Sequence, residues 1–200
     1  MNKTLMPFVN LPESYVVLDT ETTGLPDKEG PPSIVTLGLT LVKNHKILNS
    51  LEFKLKPHRE INEEALQIHG ISNTEAARFD DISIKWPEIK RYLDNNHIVI
   101  HNASFDWPII EFHIQKYNLD PIRNVSIFCS QKSAIPFAEE NKIPMSNRGP
   151  SLDALSEFLN ISSLRKKGIH GAGVDTRQTA LVVEALRRLG TDTSDVKRNN

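Results

Sequence analysis

Two acids, Asp19 and Glu21, interrupt the run Val16-Val17-Leu18-Asp19-Thr20-Glu21-Thr22-Thr23-Gly24 at the point where a strand-like apolar segment should continue. Successive side chains of an extended chain alternate between faces, so both carboxylates point to one side and Thr20 to the other. Fixed like charges at that spacing repel unless a cation lies between them. A hard divalent ion meets that need, since Mg²⁺ typically takes one or two carboxylates together with phosphate oxygens. Acids at a strand end also decorate ordinary turns. The pair alone leaves both readings open.

The 200 residues suit one domain with a sizeable core, expected over 1–189, followed by a flexible C-terminal tail at 190–200. No apolar stretch approaches the roughly 18 residues of a membrane span. Met1 to Leu11 carry no signal-peptide core, so a cytoplasmic location with no membrane partner is the default expectation. The single cysteine, Cys129, excludes an internal disulfide and a thiolate zinc cluster, which fits a reducing compartment. A net charge of -1 argues against a broad basic surface for nucleic acid. Divalent ions bound at the acids would add positive charge locally and weaken that objection.

Patterning predicts a mixed α/β chain. A buried strand at 15–19 precedes a Gly, Pro and charge-rich loop from Gly24 to Pro32, and then an antiparallel hairpin of Ile34–Val42 and Ile47–Leu55. Helices are predicted from Asn62 to Ile68, Ser72 to Ala77 and Asp81 to Leu93, with Ser72 and Glu75 in capping-box spacing. Ile98-Val99-Ile100 reads as a central strand that leads into His101-Asn102-Ala103-Ser104-Phe105-Asp106. Pro108 suits the first helical position, which places Asp106 just ahead of a helix over Pro108–Tyr117. A strand at Val125–Phe128, a helix at Ser130–Glu140 and a polar loop over Asn141–Pro150 follow. Ser151 caps the next helix, whose positive end suits Asp153, and a last helix runs from about Val174 to Leu189.

Three motifs now stand together: Asp19-x-Glu21 with Thr22-Thr23-Gly24, His101-Asn102-x-x-Phe105-Asp106, and His170-x-Ala172-x-x-Asp175. In that order, with His69-Gly70-Ile71 and Ser151-Leu152-Asp153-Ala154-Leu155 between them, the chain resembles the DnaQ-like exonucleases of the DEDDh type over roughly residues 15–189. Within that family it is most similar to the proofreading epsilon subunits of bacterial DNA polymerase III. The resemblance implies an RNase H-like fold, a mixed β-sheet flanked by α-helices, in which Asp19, Glu21, Asp106 and Asp175 hold two Mg²⁺ or Mn²⁺ ions and His170 is the general base. It further implies hydrolysis at the 3′ end of a nucleic acid, with single-stranded DNA as the expected partner and a polymerase or repair complex as a further one. Nucleoside monophosphates would be released. Thr22, Thr23 and Gly24 would then lie beside the terminal nucleotide, with His69 and Ile71 bordering its sugar or base.

Other roles are read from the residues with their rivals beside them. Phe105 is expected in the core, while Trp107 suits either base stacking or packing at a helix start. Arg165 and Lys166, with Lys167, either contact substrate phosphates or form a solvated loop. Asp106 and Asp175, each considered alone, also serve as ordinary helix-start acids. An RNA exonuclease of the same family and a non-catalytic nucleic-acid or polymerase-binding module are the competing functions. A glycosidase would leave the spacing of His170 and Asp175 without a use, because two carboxyl groups suffice for that chemistry.

Overall fold

The computed structural model describes residues 2–165 and 169–191. Its main sheet contains β1 (Tyr15–Thr22), β2 (Ile34–Lys43), β3 (Lys46–Lys54), β4 (His97–Ile100) and β5 (Ser126–Cys129), in the spatial order β3-β2-β1-β4-β5. β1 pairs antiparallel with β2 and parallel with β4, and β5 extends the parallel side. A small ribbon joins β6 (Met145–Ser146) to β7 (Gly149–Pro150). The helices are α1 (Met6–Val9), α2 (Glu63–His69), α3 (Asn73–Ala76), α4 (Ile82–Leu93), α5 (Ala103–Lys116), α6 (Ser130–Ser133), α7 (Ile135–Glu140), α8 (Leu152–Phe158) and α9 (Ala172–Thr191).

Burial on both faces explains why β1 lacks the polar alternation of a surface strand. Tyr15 and Val17 enter a core with Phe8 of α1, Phe137 of α7, Leu155 of α8 and Val183 and Leu186 of α9. Val16 and Leu18 enter the opposite core with Trp86 and Ile89 of α4 and Ile109 and Ile110 of α5. β4 follows the same rule, sending Val99 to the first core and Ile98 and Ile100 to the second. The sheet is thus an RNase H-like layer between two helical layers, as expected.

Local signals hold where they rest on caps and turns. The β2–β3 hairpin turns through Asn44 and His45, both at positive φ, a geometry that matches the twist of paired strands. Asn62, Ser72, Asp81 and Ser151 each accept a hydrogen bond from an amide of the helix they precede. Gly70 ends α2 in the left-handed conformation.

Several elements differ from expectation. β1 continues through the acids to Thr22, because β2 still pairs with it there, and its register shifts between Glu21 and Thr22. α5 begins at Ala103 and not at Pro108, so Asp106 lies inside its first turn. Asn102, at φ 72°, turns the chain into that helix, and Pro108 forfeits only the bond its missing amide would make to the Ser104 carbonyl. The helix expected over Ser130–Glu140 is broken at Ala134, where Pro136 starts a second segment. The predicted polar loop over 141–150 contains the β6–β7 ribbon. α1 has no counterpart in the sequence reading, being too short to show a helical period. α9 extends to Thr191, and the tail expected beyond it lies outside the described residues. No described helix is long and apolar enough to cross a membrane.

Candidate active site

β1 delivers Asp19 and Glu21, α5 delivers Asp106 and the first turn of α9 delivers Asp175. Gly38 makes this convergence possible. It pairs with Asp19 across the β1–β2 ladder, and a Cβ at that position would overlap the Ala172 carbonyl and crowd the Gly173 amide at 2.6 Å. The backbone of β2 therefore touches the start of α9, and Asp175 is carried to the end of β1. Glu52 on β3 accepts a 3.0 Å hydrogen bond from the Gly173 amide, which adds a negative charge at the positive end of α9. The segment ahead of α9 is tied to α2 by the His170 amide, which donates to the Ile68 carbonyl at 3.0 Å.

Glu21, His170 and Asp175 present ligand atoms that all lie within 4.8 Å of one another, a grouping able to hold a metal ion. His170 Nδ1 is 3.2 Å from Asp175 Oδ2. Asp106, 3% exposed, accepts on Oδ1 from both the amide and the hydroxyl of Thr20, at 3.0 and 2.7 Å. Asp19 lines the same acid pocket as Glu21, His170 and Asp175.

The acids repel one another in a poorly hydrated setting. Burial, then the charges of Asp106, Glu21 and Asp175, hold the Asp19 carboxyl well above its ordinary range. Burial, followed by Asp175, pushes Glu21 up to about 7, although His170 and Arg165 oppose the shift. Burial raises Asp106 to about 6 against the two bonds from Thr20. Burial would also raise Asp175, but hydrogen bonds from His170 and Arg165 bring it below its usual value. His170 is raised chiefly by its bond to Asp175. A cluster that strains against its own ionisation, built of hard oxygen donors with one imidazole, fits divalent cations.

A cleft of about 410 Å³ adjoins the acids and is lined by Thr22, Gly24, Leu25, Ile68, His69 and Phe105, among others. Its size is ordinary for a small-ligand site. Thr22 donates its hydroxyl to the Gly24 carbonyl at 2.8 Å. Thr23 faces inward instead, accepting from the Ser33 amide at 3.0 Å and making no part of the cleft lining. His69 Nδ1 accepts from the Ile71 amide at 3.1 Å, which leaves the proton of the neutral ring on Nε2. That buried Nε2 faces the Thr22 backbone without reaching hydrogen-bond geometry.

Phe105 and Trp107 are both half-buried and both pack against the α4–α5 core, as expected for Phe105; Phe105 also lines the cleft, whereas Trp107 does not. Ile71 packs against the small cluster of Val35, Ile61, Ala65 and Ala76 and reaches the cleft only through the His69 ring that its amide holds. Arg165, expected beside substrate phosphates, is engaged by Asp175 and Asp153. Lys166 and Lys167 lie outside the described residues.

Two residues in the site escaped the sequence reading. Arg148, exposed on the β6–β7 ribbon, borders both the cleft and the acid pocket. Thr20 anchors Asp106, as described above. A cation beside an acid motif was the available signal for Arg148. Nothing local singles out Thr20, whose partner is 86 residues away.

An RNase H-like sheet whose central strand ends in acids, completed by acids from a helix on each face, defines a nuclease. The chain belongs to the exonuclease family, whose model (RNase_T, Exonuclease) matches residues 16–183. It is 30% identical over 175 residues to the DNA polymerase III subunit epsilon of Pasteurella multocida (strain Pm70), a match covering 84% of this chain and 65% of that one. It is also 30% identical over 179 residues to the subunit epsilon of Escherichia coli (strain K12), covering 86% and 70%. The chain therefore spans roughly two thirds of the length of these relatives. Among solved structures it is similar to exonuclease X in complex with 5′ overhanging duplex DNA, at TM-score 0.63 and 24% identity, covering 90% of this chain and 95% of that one. Exonuclease I superposes at TM-score 0.70 and 16% identity, covering 88% and 41%. These two likenesses concern the fold.

Proposed function

We propose that the protein is a 3′–5′ exonuclease that removes nucleoside monophosphates from DNA 3′ ends, in proofreading, repair or end trimming. One observation carries the reading: Glu21, Asp175 and His170 meet within 4.8 Å while Asp19 shares their pocket and Asp106 is buried beside it. Asp19, Glu21, Asp106 and Asp175 would hold two Mg²⁺ or Mn²⁺ ions. Bound there, such ions supply Lewis acidity and neutralise charge at the scissile phosphate.

The side chains have separable tasks. Asp175 accepts from His170 Nδ1, which leaves Nε2 as the basic nitrogen of the neutral ring and orients it. His170 Nε2 then takes the proton of the attacking water, a role worth about 10²- to 10⁴-fold. Phe105 and Leu25 offer apolar surface to the terminal nucleotide, and the His69 ring forms part of the cleft wall. Gly24 lets the cleft wall pack closely on Asn62, whose amide a Cβ at that position would strike. Arg148 stands where the strand would pass from cleft to acids and supplies a positive charge for its phosphates.

Single-stranded DNA with a free 3′ end is the proposed substrate, and a polymerase or repair complex the proposed partner, supported by the likeness to DNA polymerase III subunits. Residues 1–189 are proposed to form one exonuclease domain. A cytoplasmic location goes with that reading and with the single cysteine. The same chemistry would serve on RNA, and a solved neighbour, the nuclease domain of 3′hExo, is described as bound to rAMP.

The deciding experiment incubates matched DNA and RNA oligonucleotides, blocked at the 3′ or the 5′ end, with Mg²⁺, Mn²⁺ or chelator. Expected are monophosphate products from DNA, loss of cleavage when the 3′ end is blocked or the ions are chelated, and no turnover by Asp19→Ala. Turnover by His170→Ala should fall about 10²-fold or more. Undiminished cleavage of a 3′-blocked strand would refute the polarity, and faster cleavage of RNA would reassign the substrate.

A further inference from the structure

The charge that faces the acid cluster in this structure belongs to the chain itself. Arg165 donates from Nε to Asp175 Oδ1 at 2.7 Å and from Nη2 to Asp175 Oδ2 at 2.9 Å. From Nη1 it also donates to both oxygens of Asp153, at 2.9 and 2.8 Å. The Arg165 side chain is 11% exposed and Asp175 is 7% exposed, whereas Asp153 stands at the rim with 66% exposure. Planar, two-point pairing of this kind combines charge with fixed geometry.

Both oxygens of Asp175 are therefore taken by protein donors, Oδ1 by Arg165 and Oδ2 by Arg165 and His170. The guanidinium also lowers the cost of ionising Asp19 and Glu21. It thus does for the acids what a divalent ion would do, from a side chain that cannot leave. An ion ligated by Asp175 would displace those hydrogen bonds and meet a like charge beside it. Asp153 gives the displaced guanidinium a second carboxylate to hold.

We propose that Arg165 is a resident counter-cation of the acid site, competing with divalent ions for Asp175 and retained at the rim by Asp153 when an ion takes its place. The inference deepens the proposed function and rests on its assignment of Asp175 as a metal ligand. It makes Arg165 a positioning residue that sets metal affinity, and it gives Asp153 a role beyond favouring a helix start. Two substitutions should act with opposite sign. Arg165→Met removes the competitor, while Asp153→Asn removes its alternative partner and leaves Arg165 more firmly on Asp175.

The test titrates Mn²⁺ into the whole chain without substrate, following free Mn²⁺ by electron paramagnetic resonance, with thermal unfolding recorded in chelator and in Mn²⁺. Arg165→Met is expected to bind Mn²⁺ roughly tenfold tighter, on the scale of a charge-assisted hydrogen bond removed from the competing state. It should unfold at a lower temperature in chelator and regain the loss in Mn²⁺. Asp153→Asn should bind Mn²⁺ a few-fold more weakly, and Arg165→Lys, which keeps charge but not the fork, should fall between wild type and Arg165→Met. Unchanged or weaker Mn²⁺ binding by folded Arg165→Met would overturn the proposal while leaving the metal assignment standing. If Arg165→Met does not fold, the sign of the change in Asp153→Asn decides. Absence of Mn²⁺ binding by the wild type would remove the metal assignment itself, and this inference with it.

Discussion

Thr20 holds Asp106 with two bonds to a single oxygen: its amide and its hydroxyl both donate to Oδ1, at 3.0 and 2.7 Å. Because Thr20 lies between Asp19 and Glu21, the strand that presents two acids also fixes a third through its opposite face. Thr20→Val keeps the shape and the amide bond but removes the hydroxyl. Asp106 should then titrate higher, and stability at pH 8 should fall by about 1.5–3 kcal/mol, the range for a hydrogen bond to a charged group. Denaturant unfolding and carboxyl NMR titration measure the two effects. An unshifted Asp106 would show the hydroxyl to be idle.

Without metal, the acid cluster should cost more stability as pH rises. Burial lifts Glu21 to about 7 and Asp106 to about 6, above their unfolded values, so ionising either opposes folding. That penalty is complete above about pH 7 and is relieved as pH drops toward about 4. His170 works in the same direction: raised by Asp175, it adds stability below its unfolded pKa that is lost as pH climbs through the folded one. Asp175, held below its usual value, adds stability that disappears only at lower pH. His69, His101 and His113, each held below the usual imidazole range by burial, add stability as pH rises through the unfolded value, so calorimetry reads the acids by difference: in chelator Glu21→Gln should gain Tm over the wild type at pH 8 and gain less at pH 6. Excess Mg²⁺ should shrink the difference by stabilising the ionised carboxylates. An equal gain for Glu21→Gln at both pH values would contradict this account.

Gly38→Ala places a methyl group against the backbone of Ala172 and Gly173. Backbone cannot rotate aside as a side chain can, so β2 or the start of α9 must shift. The expected cost is about 1–3 kcal/mol, as for an overpacked core. Because α9 carries Asp175, metal affinity should fall along with stability. Affinity equal to wild type in a folded Gly38→Ala protein would separate the strand–helix contact from the site.

Arg148→Ala tests the path of the strand. Removal of one phosphate contact should weaken binding of single-stranded DNA uniformly across sequences and reduce the salt dependence of log K by roughly 0.7. Fluorescence anisotropy at several salt concentrations, with Ca²⁺ as a slow or inert ion, reads both quantities. An unchanged slope would place Arg148 off the strand.

The parts of this molecule that could be read from its sequence are those written in short stretches. Asn62, Ser72 and Ser151 cap helices as their spacing predicted, and the Asn44-His45 turn closes its hairpin. Asp19, Glu21, His170 and Asp175 stand in compact motifs, and their meeting is implied by the family resemblance that those motifs carry. Pro108 suits a helix start and so puts Asp106 outside α5 in the sequence, whereas the turn at Asn102 already sets the helix going. The sequence leaves Arg165 between a substrate-phosphate contact and a solvated loop, because nothing in its neighbours foretells pairing with acids 10 and 12 residues away. Phe105 and Trp107, on either side of Asp106, share one core, and the access of Phe105 alone to the cleft depends on a helix phase that Pro108 obscures in the sequence.

Asp106 belongs to the helical layer whose core contains Ile109 and Ile110, and Asp175 to the opposite layer, whose core contains Val182 and Val183. The centre consequently sits on a seam, and its geometry measures the alignment of two independently packed slabs. A cavity cut into either slab would be felt as slippage of one acid relative to the other. Ions seated between them would act as rivets, and stripping them should loosen the joint first.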